Sequence, residues 1–168
     1  MKRASYLVVV LAIIGFGCSS ANDTIAEQIA ENVDGVNNVD IDSDSGQISV
    51  ETDEGSVTIG GGSVPDDLFV PLPDGYDVQA VVETDSGSSV SVAYDQGRYD
   101  ELVTYFQNWT SADSAEWEHG SISMDQGGSN FRSDSWYTSD RGINLSDCMT
   151  AAATDGKPNA ACVLVTTD

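Results

Sequence analysis

The only histidine of the chain stands beside two acids and a tryptophan, residue types from which a hydrolytic site could be built. Glu116 and Glu118 flank Trp117, and His119 follows directly. Glycoside hydrolysis needs two carboxyl groups facing one bond, and spacing along a chain does not reveal such a pair. The same residues are typical of an exposed strand end with one buried aromatic side chain. We expect this second arrangement and retain the first as the alternative.

His119 lacks the sequence neighbours that other hydrolytic or metal-dependent sites require. A serine hydrolase places its histidine beside a nucleophilic serine and an acid. Here the serines lie in turn segments rich in Gly and Asp, outside any Gly-x-Ser-x-Gly motif. A zinc site would need further His or Cys ligands close together. We therefore predict no catalytic residues and no cofactor.

Three alternating acids, Asp40, Asp42 and Asp44, have the spacing of the first ligands in an EF-hand calcium loop, and Glu51 stands at the twelfth position. The sixth position of that loop requires Gly but is Ser45, and the flanking residues have strand patterns. Alternating Asp on an exposed strand face explains the same residues. We predict no metal here and keep calcium binding as the alternative.

Two cysteines near the carboxyl end, Cys148 and Cys162, form an even pair. In an exported protein such a pair predicts a disulfide, with two free thiols as the alternative. In the chain-entropy model, closing this short loop would stabilise the fold by at most about 3 kcal/mol.

Export is predicted by the first residues of the chain. Lys2 and Arg3 precede an apolar run from Tyr6 to Phe16. This run is too short to span a bilayer but suits the core of a signal peptide. The remaining cysteine, Cys18, follows the run after one residue, Gly17.

The segment Ile14-Gly15-Phe16-Gly17-Cys18 resembles the lipobox of bacterial lipoproteins, although Gly15 replaces the usual aliphatic residue. The resemblance implies cleavage after Gly17 and lipidation of Cys18. It also implies an outer-membrane or cell-surface location, because Ser19 is not the Asp that retains such proteins at the inner membrane. The alternative is an ordinary secretory peptide cut after Ala21, which would release a soluble periplasmic or secreted protein.

The net charge of the chain limits the classes of partner that it can bind. All 28 acids follow the signal, together with only four bases, so the formal charge of the mature chain is −24. Nucleic-acid binding is excluded, because phosphate contacts need clustered Lys and Arg. Membrane contact must come from the lipid anchor, since anionic lipid repels such a chain. We expect the acids to form a solvated surface, with binding of divalent cations or cationic partners as the alternative.

A tether over 18–23 leads to a region, 24–62, that we predict to hold a short helix and an acidic β-meander. Thr24 and Glu27 form a capping box, and Gly35 stands where a helix usually ends. Apolar residues recur every four positions in the helix, at Ile25, Ile29 and Val33. We expect this stripe to dock on the domain, with partner binding as the alternative. From Val36 the apolar residues alternate with polar ones, which predicts three strands with one apolar and one acidic face.

A proline-rich connector over 63–75 precedes an α+β domain over 76–168. Strands are predicted at Tyr76–Thr84, Ser88–Tyr94, Trp117–Met124, Phe131–Ser139, Ile143–Met149 and Ala160–Thr166. A helix is predicted from Gly97 to Trp109, with an apolar stripe that belongs to the core. The fold class is therefore α+β: antiparallel sheet with one packed helix, preceded by a short helix and a β-meander.

The whole layout, from Ile25 to Asp168, is similar to that of small bacterial lipoproteins of uncharacterised function, a resemblance that implies no activity. The acidic meander, the joint Val64-Pro65…Pro71-Leu72-Pro73 and the helix-on-sheet domain carry it. We expect a non-catalytic, lipid-anchored protein that binds or scaffolds an envelope protein or glycan. The alternative is a small carbohydrate- or peptidoglycan-directed hydrolase that uses carboxylates near Trp117.

Overall fold

The computed structural model describes residues 35–42, 47–126, 129–150 and 158–168. The predicted signal peptide, the predicted lipidation site Cys18, the predicted tether and the predicted helix over 24–33 lie outside these ranges, as does Asp44. Within them, no helix is long and apolar enough to cross a membrane.

Nine strands and one helix make up the described fold. In chain order the strands are β1 Val36–Asp42, β2 Gln47–Thr52, β3 Gly55–Ile59, β4 Asp77–Thr84, β5 Gly87–Asp95, β6 Glu118–Gln126, β7 Ser129–Tyr137, β8 Arg141–Cys148 and β9 Ala160–Thr167. Between β5 and β6, a 3-10 turn at Gln96–Arg98 leads into the helix α1, Tyr99–Ala112.

All nine strands belong to one antiparallel sheet, in the order β1-β2-β3-β4-β5-β9-β8-β7-β6. The last strand, β9, lies between β5 and β8, so the carboxyl end of the chain closes the centre of the sheet. Because β3 pairs with β4, the predicted meander and the strands after the connector share one sheet. The predicted antiparallel sheet with one packed helix is therefore confirmed.

Two tight turns share one sequence pattern, a threonine followed three residues later by a glycine. In each, a threonine hydroxyl donates to the carbonyl of the glycine three residues later and accepts from the amide between them, as Thr52 does with Gly55 and Thr84 does with Gly87. A Cβ at Gly55 would clash with the carbonyl oxygen of Glu83, and one at Gly87 with that of Thr167. Glycine is needed at both places because the neighbouring backbone leaves no room for a side chain.

Helix α1 packs on one face of the sheet, which we call the helix face. Leu102 and Phe106 are fully buried against side chains of the central strands, among them Val163 and Leu145. The predicted stripe of Tyr99, Leu102, Val103, Phe106 and Trp109 lies in or against this core, as expected. The connector also packs here: Val70 is buried, and the hydroxyls of Tyr94 and Tyr105 donate to the carbonyls of Pro73 and Pro71.

The apolar side of the sheet changes face at β4. Val81 is paired with Val90 and faces the helix, whereas its neighbours Ala80 and Val82 point to the opposite side, which we call the reverse face. Ala80 is paired with Ile59, and Val82 with Val57. Since directly paired residues share a face, the apolar side chains of β1–β3 lie on the reverse face, away from α1.

Candidate functional site

Strand β6 forms one edge of the sheet and takes part in two surface features. Its residues alternate between the faces, so His119 lies on the helix face while Ile122 and Met124 lie on the reverse face. The first feature is a cleft beside His119. The second is the outer edge of the strand, with which no other strand of the described residues pairs.

The cleft lies between the carboxyl-terminal half of α1 and the start of β6, and its volume is about 320 Å³. Polar groups from the helix line one side, and aromatic side chains line the other. The lining residues are Gln107, Thr110, Ser111, Asp113, Ala115, Trp117, His119 and Trp136.

His119 is held in the cleft wall by two contacts. Its ring stacks on that of Trp136 with centroids 4.9 Å apart, and its Nε2 lies 3.1 Å from Oδ1 of Asp134. An ionised carboxylate only accepts hydrogen bonds, so a neutral His119 carries its hydrogen on Nε2 and presents Nδ1 as an acceptor. No hydrogen bond joins His119 to Ser111, the serine that lines the same cleft.

Asp134 itself is buried and has a second donor. The hydroxyl of Tyr99 lies 2.9 Å from its Oδ2. Burial, followed by this hydrogen bond, raises the pKa of Tyr99, so the phenol remains a donor at neutral pH. Both carboxylate oxygens of Asp134 are thus occupied by residues of the fold, which suits a positioning role for this acid.

A second buried acidic side chain, Asp147, has a charged partner. Arg132 bonds the buried carboxylate of Asp147 and places its guanidinium 3.9 Å from the ring centroid of Tyr99. The hydrogen bond to Asp147 raises the pKa of Arg132, which keeps the guanidinium charged. These contacts tie β7 and β8 to α1.

Trp117 is part of an aromatic cluster that fixes the connector. Its ring lies 5.9 Å from Phe69 and 5.7 Å from Trp109, and the guanidinium of Arg141 lies 5.3 Å from its centroid. The indole nitrogen donates to Asp113, and this bond lowers the pKa of that carboxyl. The tryptophan expected to be a buried aromatic is therefore partly buried and structural.

The two acids that flank Trp117 do not converge on the cleft. Glu118 accepts a hydrogen bond of 2.7 Å from Tyr137 on the reverse face, and Glu116 is exposed. Asp113 lines the cleft and Asp134 holds His119, and sequence reasoning missed both. No local signal marks Asp134, because fifteen residues and a hairpin separate it from His119.

The edge strand β6 has few of the features that protect exposed strands from pairing with other chains. Its register with β7 runs from Glu118↔Tyr137 to Gln126↔Ser129 without a shift. The strand contains no Lys, Arg or Pro, residues that commonly block an edge. Ile122 and Met124 are 59% and 54% exposed. The opposite edge, β1, carries a register shift between Val36 and Asn38.

One of the three candidate calcium ligands lies outside the residues that the structure describes. Asp40 and Asp42 share the helix-face side of β1, paired with Ser49 and Gln47, whereas Asp44 is outside the described residues. Across the ranges that the structure describes, no group of three or more His, Cys, Asp or Glu could hold a metal ion.

The predicted disulfide is present. Cys148 and Cys162 are bonded, with Cα atoms 5.8 Å apart, and the bond links β8 to β9 on the reverse face. The bond therefore joins two positions that are 14 residues apart in the sequence.

No protein family model, curated protein or solved structure matches this chain. The function is accordingly inferred from the contacts and surfaces described above.

Proposed function

We propose that this protein is a non-catalytic, lipid-anchored envelope protein that binds an extended segment of a cationic surface partner along the edge of β6. Cys18 would carry the anchor, and the partner segment would add a tenth strand to the sheet. The regular outer edge of β6, with Ile122 and Met124 exposed on its reverse face, is the observation that carries the proposal.

An edge strand offers unpaired backbone N–H and C=O groups, and a partner strand can satisfy them. Side chains on alternate positions then select the partner. On the reverse face of β6, Ile122 and Met124 offer apolar contacts, and Phe131 of β7 is paired with Met124 beside them. A partner with apolar residues at every second position suits this edge.

Charge supports a cationic partner over a second copy of the chain. The mature chain has a formal charge of −24, so two copies repel each other. Glu118 and Asp125 lie on β6 itself. A segment with Lys or Arg at the alternate positions would therefore be attracted before it pairs.

The interior of the cleft supports the non-catalytic part of the proposal. Asp134 is occupied by Tyr99 and His119, and Asp113 by Trp117 and Arg141. Glu116 and Glu118 lie away from the cleft lining. These acids stabilise the fold in the positions that the structure gives them.

The test uses full-length protein in detergent and a ten-residue probe peptide of alternating Lys and Val. A copy of the peptide that is N-methylated at every residue keeps its charge but has no backbone N–H with which to pair as a strand on either edge. We expect the unmodified peptide to bind at least tenfold more tightly, and to protect β6 amides from hydrogen exchange. Equal binding of the two peptides would show charge attraction alone and overturn strand addition.

A matched pair of variants locates the binding. Ile122→Lys places a repelling charge on the edge strand, whereas Leu164→Lys places it on the same face at the centre of the sheet, where Leu164 is 40% exposed. We expect Ile122→Lys to weaken binding of the unmodified peptide at least tenfold and Leu164→Lys to weaken it less than threefold. Similar losses in the two variants would contradict binding at β6.

A further inference from the structure

Two rows of apolar residues cross the reverse face of β1–β4. One row runs through Ile41, Ile48, Ile59 and Ala80, and the other through Val39, Val50, Val57 and Val82. Members of each row are direct cross-strand partners, so their side chains touch across the strands. The alternate residues of β1–β3 on the helix face are polar, including Asp40, Glu51 and Thr58.

Among the described residues, no helix or connector covers these rows. Helix α1 and the connector pack on the helix face around the buried core, and none of the eight row residues belongs to that core. All eight remain partly exposed. A sheet face with two adjoining rows of partly exposed apolar side chains offers a place for another segment to bind.

We propose that residues 24–33 of this chain bind there, as an amphipathic helix that lies across the reverse face of β1–β4. The sequence of this segment has the matching surface: Ile25, Ile29 and Val33 recur at helical spacing as one stripe. A helix of ten residues is about 15 Å long. Four neighbouring strands span about 14 Å, so the helix and the rows match in length.

The chain enters β1 in a way that suits a preceding helix. Gly35 has φ +88°, a left-handed conformation that commonly follows the last residue of a helix. Its carbonyl accepts a bond from the amide of Asp53, which holds this glycine at the edge of the sheet. The segment before it therefore starts beside the rows and needs only one reversal to lie over them.

The rows also favour this occupant over a second copy. Their eight residues are all uncharged and apolar, whereas the mature chain as a whole carries a formal charge of −24, so pairing two copies face to face brings like charges together. Residues 24–33 supply apolar contact at high local concentration, since they are joined to β1 through Asp34 and Gly35.

Docking has a consequence for the proposed lipid anchor, and this step rests on the proposed function. Only five residues separate Cys18 from Thr24. Six residues reach at most about 20 Å. A docked helix would hold the reverse face of β1–β4 near the membrane surface.

The experiment uses full-length protein carrying Cys18→Ala, so its outcome does not depend on lipidation. Ile29→Cys is combined in turn with Val50→Cys on the reverse face or Ser49→Cys on the helix face of the same strand. We expect mild oxidation to cross-link Ile29→Cys to Val50→Cys within one chain, at least tenfold faster than to Ser49→Cys. The pair Val57→Cys and Thr58→Cys on β3 repeats the comparison.

Each other outcome overturns the proposal. Equal rates at the two faces would show that the segment has no fixed position on the sheet. Cross-links between chains alone would make a second copy the occupant. Absence of any cross-link would leave the rows to a separate partner. Failure of the β6 peptide experiment would leave these results unaffected, since no step of this experiment involves β6.

Discussion

Arg132 holds the buried carboxylate of Asp147 with two nitrogens, Nε at 3.0 Å and Nη2 at 3.2 Å. The side chain of Asp147 is only 1% exposed, and its Oδ2 also accepts from the backbone amide of Arg132. The guanidinium then covers the ring of Tyr99, whose hydroxyl bonds Asp134. One arginine thus compensates a buried charge and links two strands of the sheet to the helix.

Arg132→Met should lower the free energy of unfolding by about 3 kcal/mol, because it leaves a carboxylate buried without its charge partner. Urea denaturation monitored by tryptophan fluorescence measures the loss. The double variant Arg132→Met/Asp147→Asn should be more stable than the single variant, since the amide is neutral and its oxygen can still accept from the backbone. A double variant less stable than the single would contradict this account.

Gly55→Ala should lower the free energy of unfolding by about 3 kcal/mol, because the new methyl group meets the carbonyl of Glu83 and the backbone must shift. Gly120→Ala is the matched control, since nothing lies within 4 Å of a Cβ built there. Thermal unfolding followed by circular dichroism compares the two. Equal melting temperatures for the two variants would show that the turn after β2 tolerates a side chain.

Asp113 should contribute to the loss of stability in acid. Its hydrogen bond from Trp117 lowers the folded-state pKa below the ordinary value of about 4. The contribution is therefore fully present above that ordinary value and is lost as the pH falls through the lower folded value. Asp113→Asn should show a smaller fall in melting temperature between pH 5 and pH 2 than the unmodified protein. An identical fall would assign the acid sensitivity to other carboxylates.

Cys18→Ala should abolish fatty-acid labelling and leave an unprocessed or released form of the protein, because the proposed anchor is a lipid on that thiol. Cell fractionation and metabolic labelling with a fatty acid measure the change. Cys148→Ser, which removes the disulfide instead, should leave labelling intact. Wild-type protein found wholly in the soluble exported fraction would contradict the prediction of a lipid anchor.

The confirmed predictions rest on local patterns. Alternating apolar residues separated by Asp- and Gly-rich turns predicted the strands, and the helical spacing of Leu102 and Phe106 predicted a helix that packs on them. The pairing of Cys148 with Cys162 was predicted from the number of cysteines together with the predicted export. The strands and the helix follow from the sequence by itself because each depends on neighbours along the chain.

Only the tertiary structure decided which face each strand turns to the helix and which side chains meet. Alternation shows that Val57 and Ile59 share a side of β3, but their side of the sheet depends on the register with Val82 and Ala80. Asp134 reaches His119 only because β6 and β7 pair in one register. A shift of one residue moves a side chain to the other face of a sheet. Long-range backbone pairing therefore sets both the cleft and the apolar rows of the reverse face, and short-range patterns do not contain it.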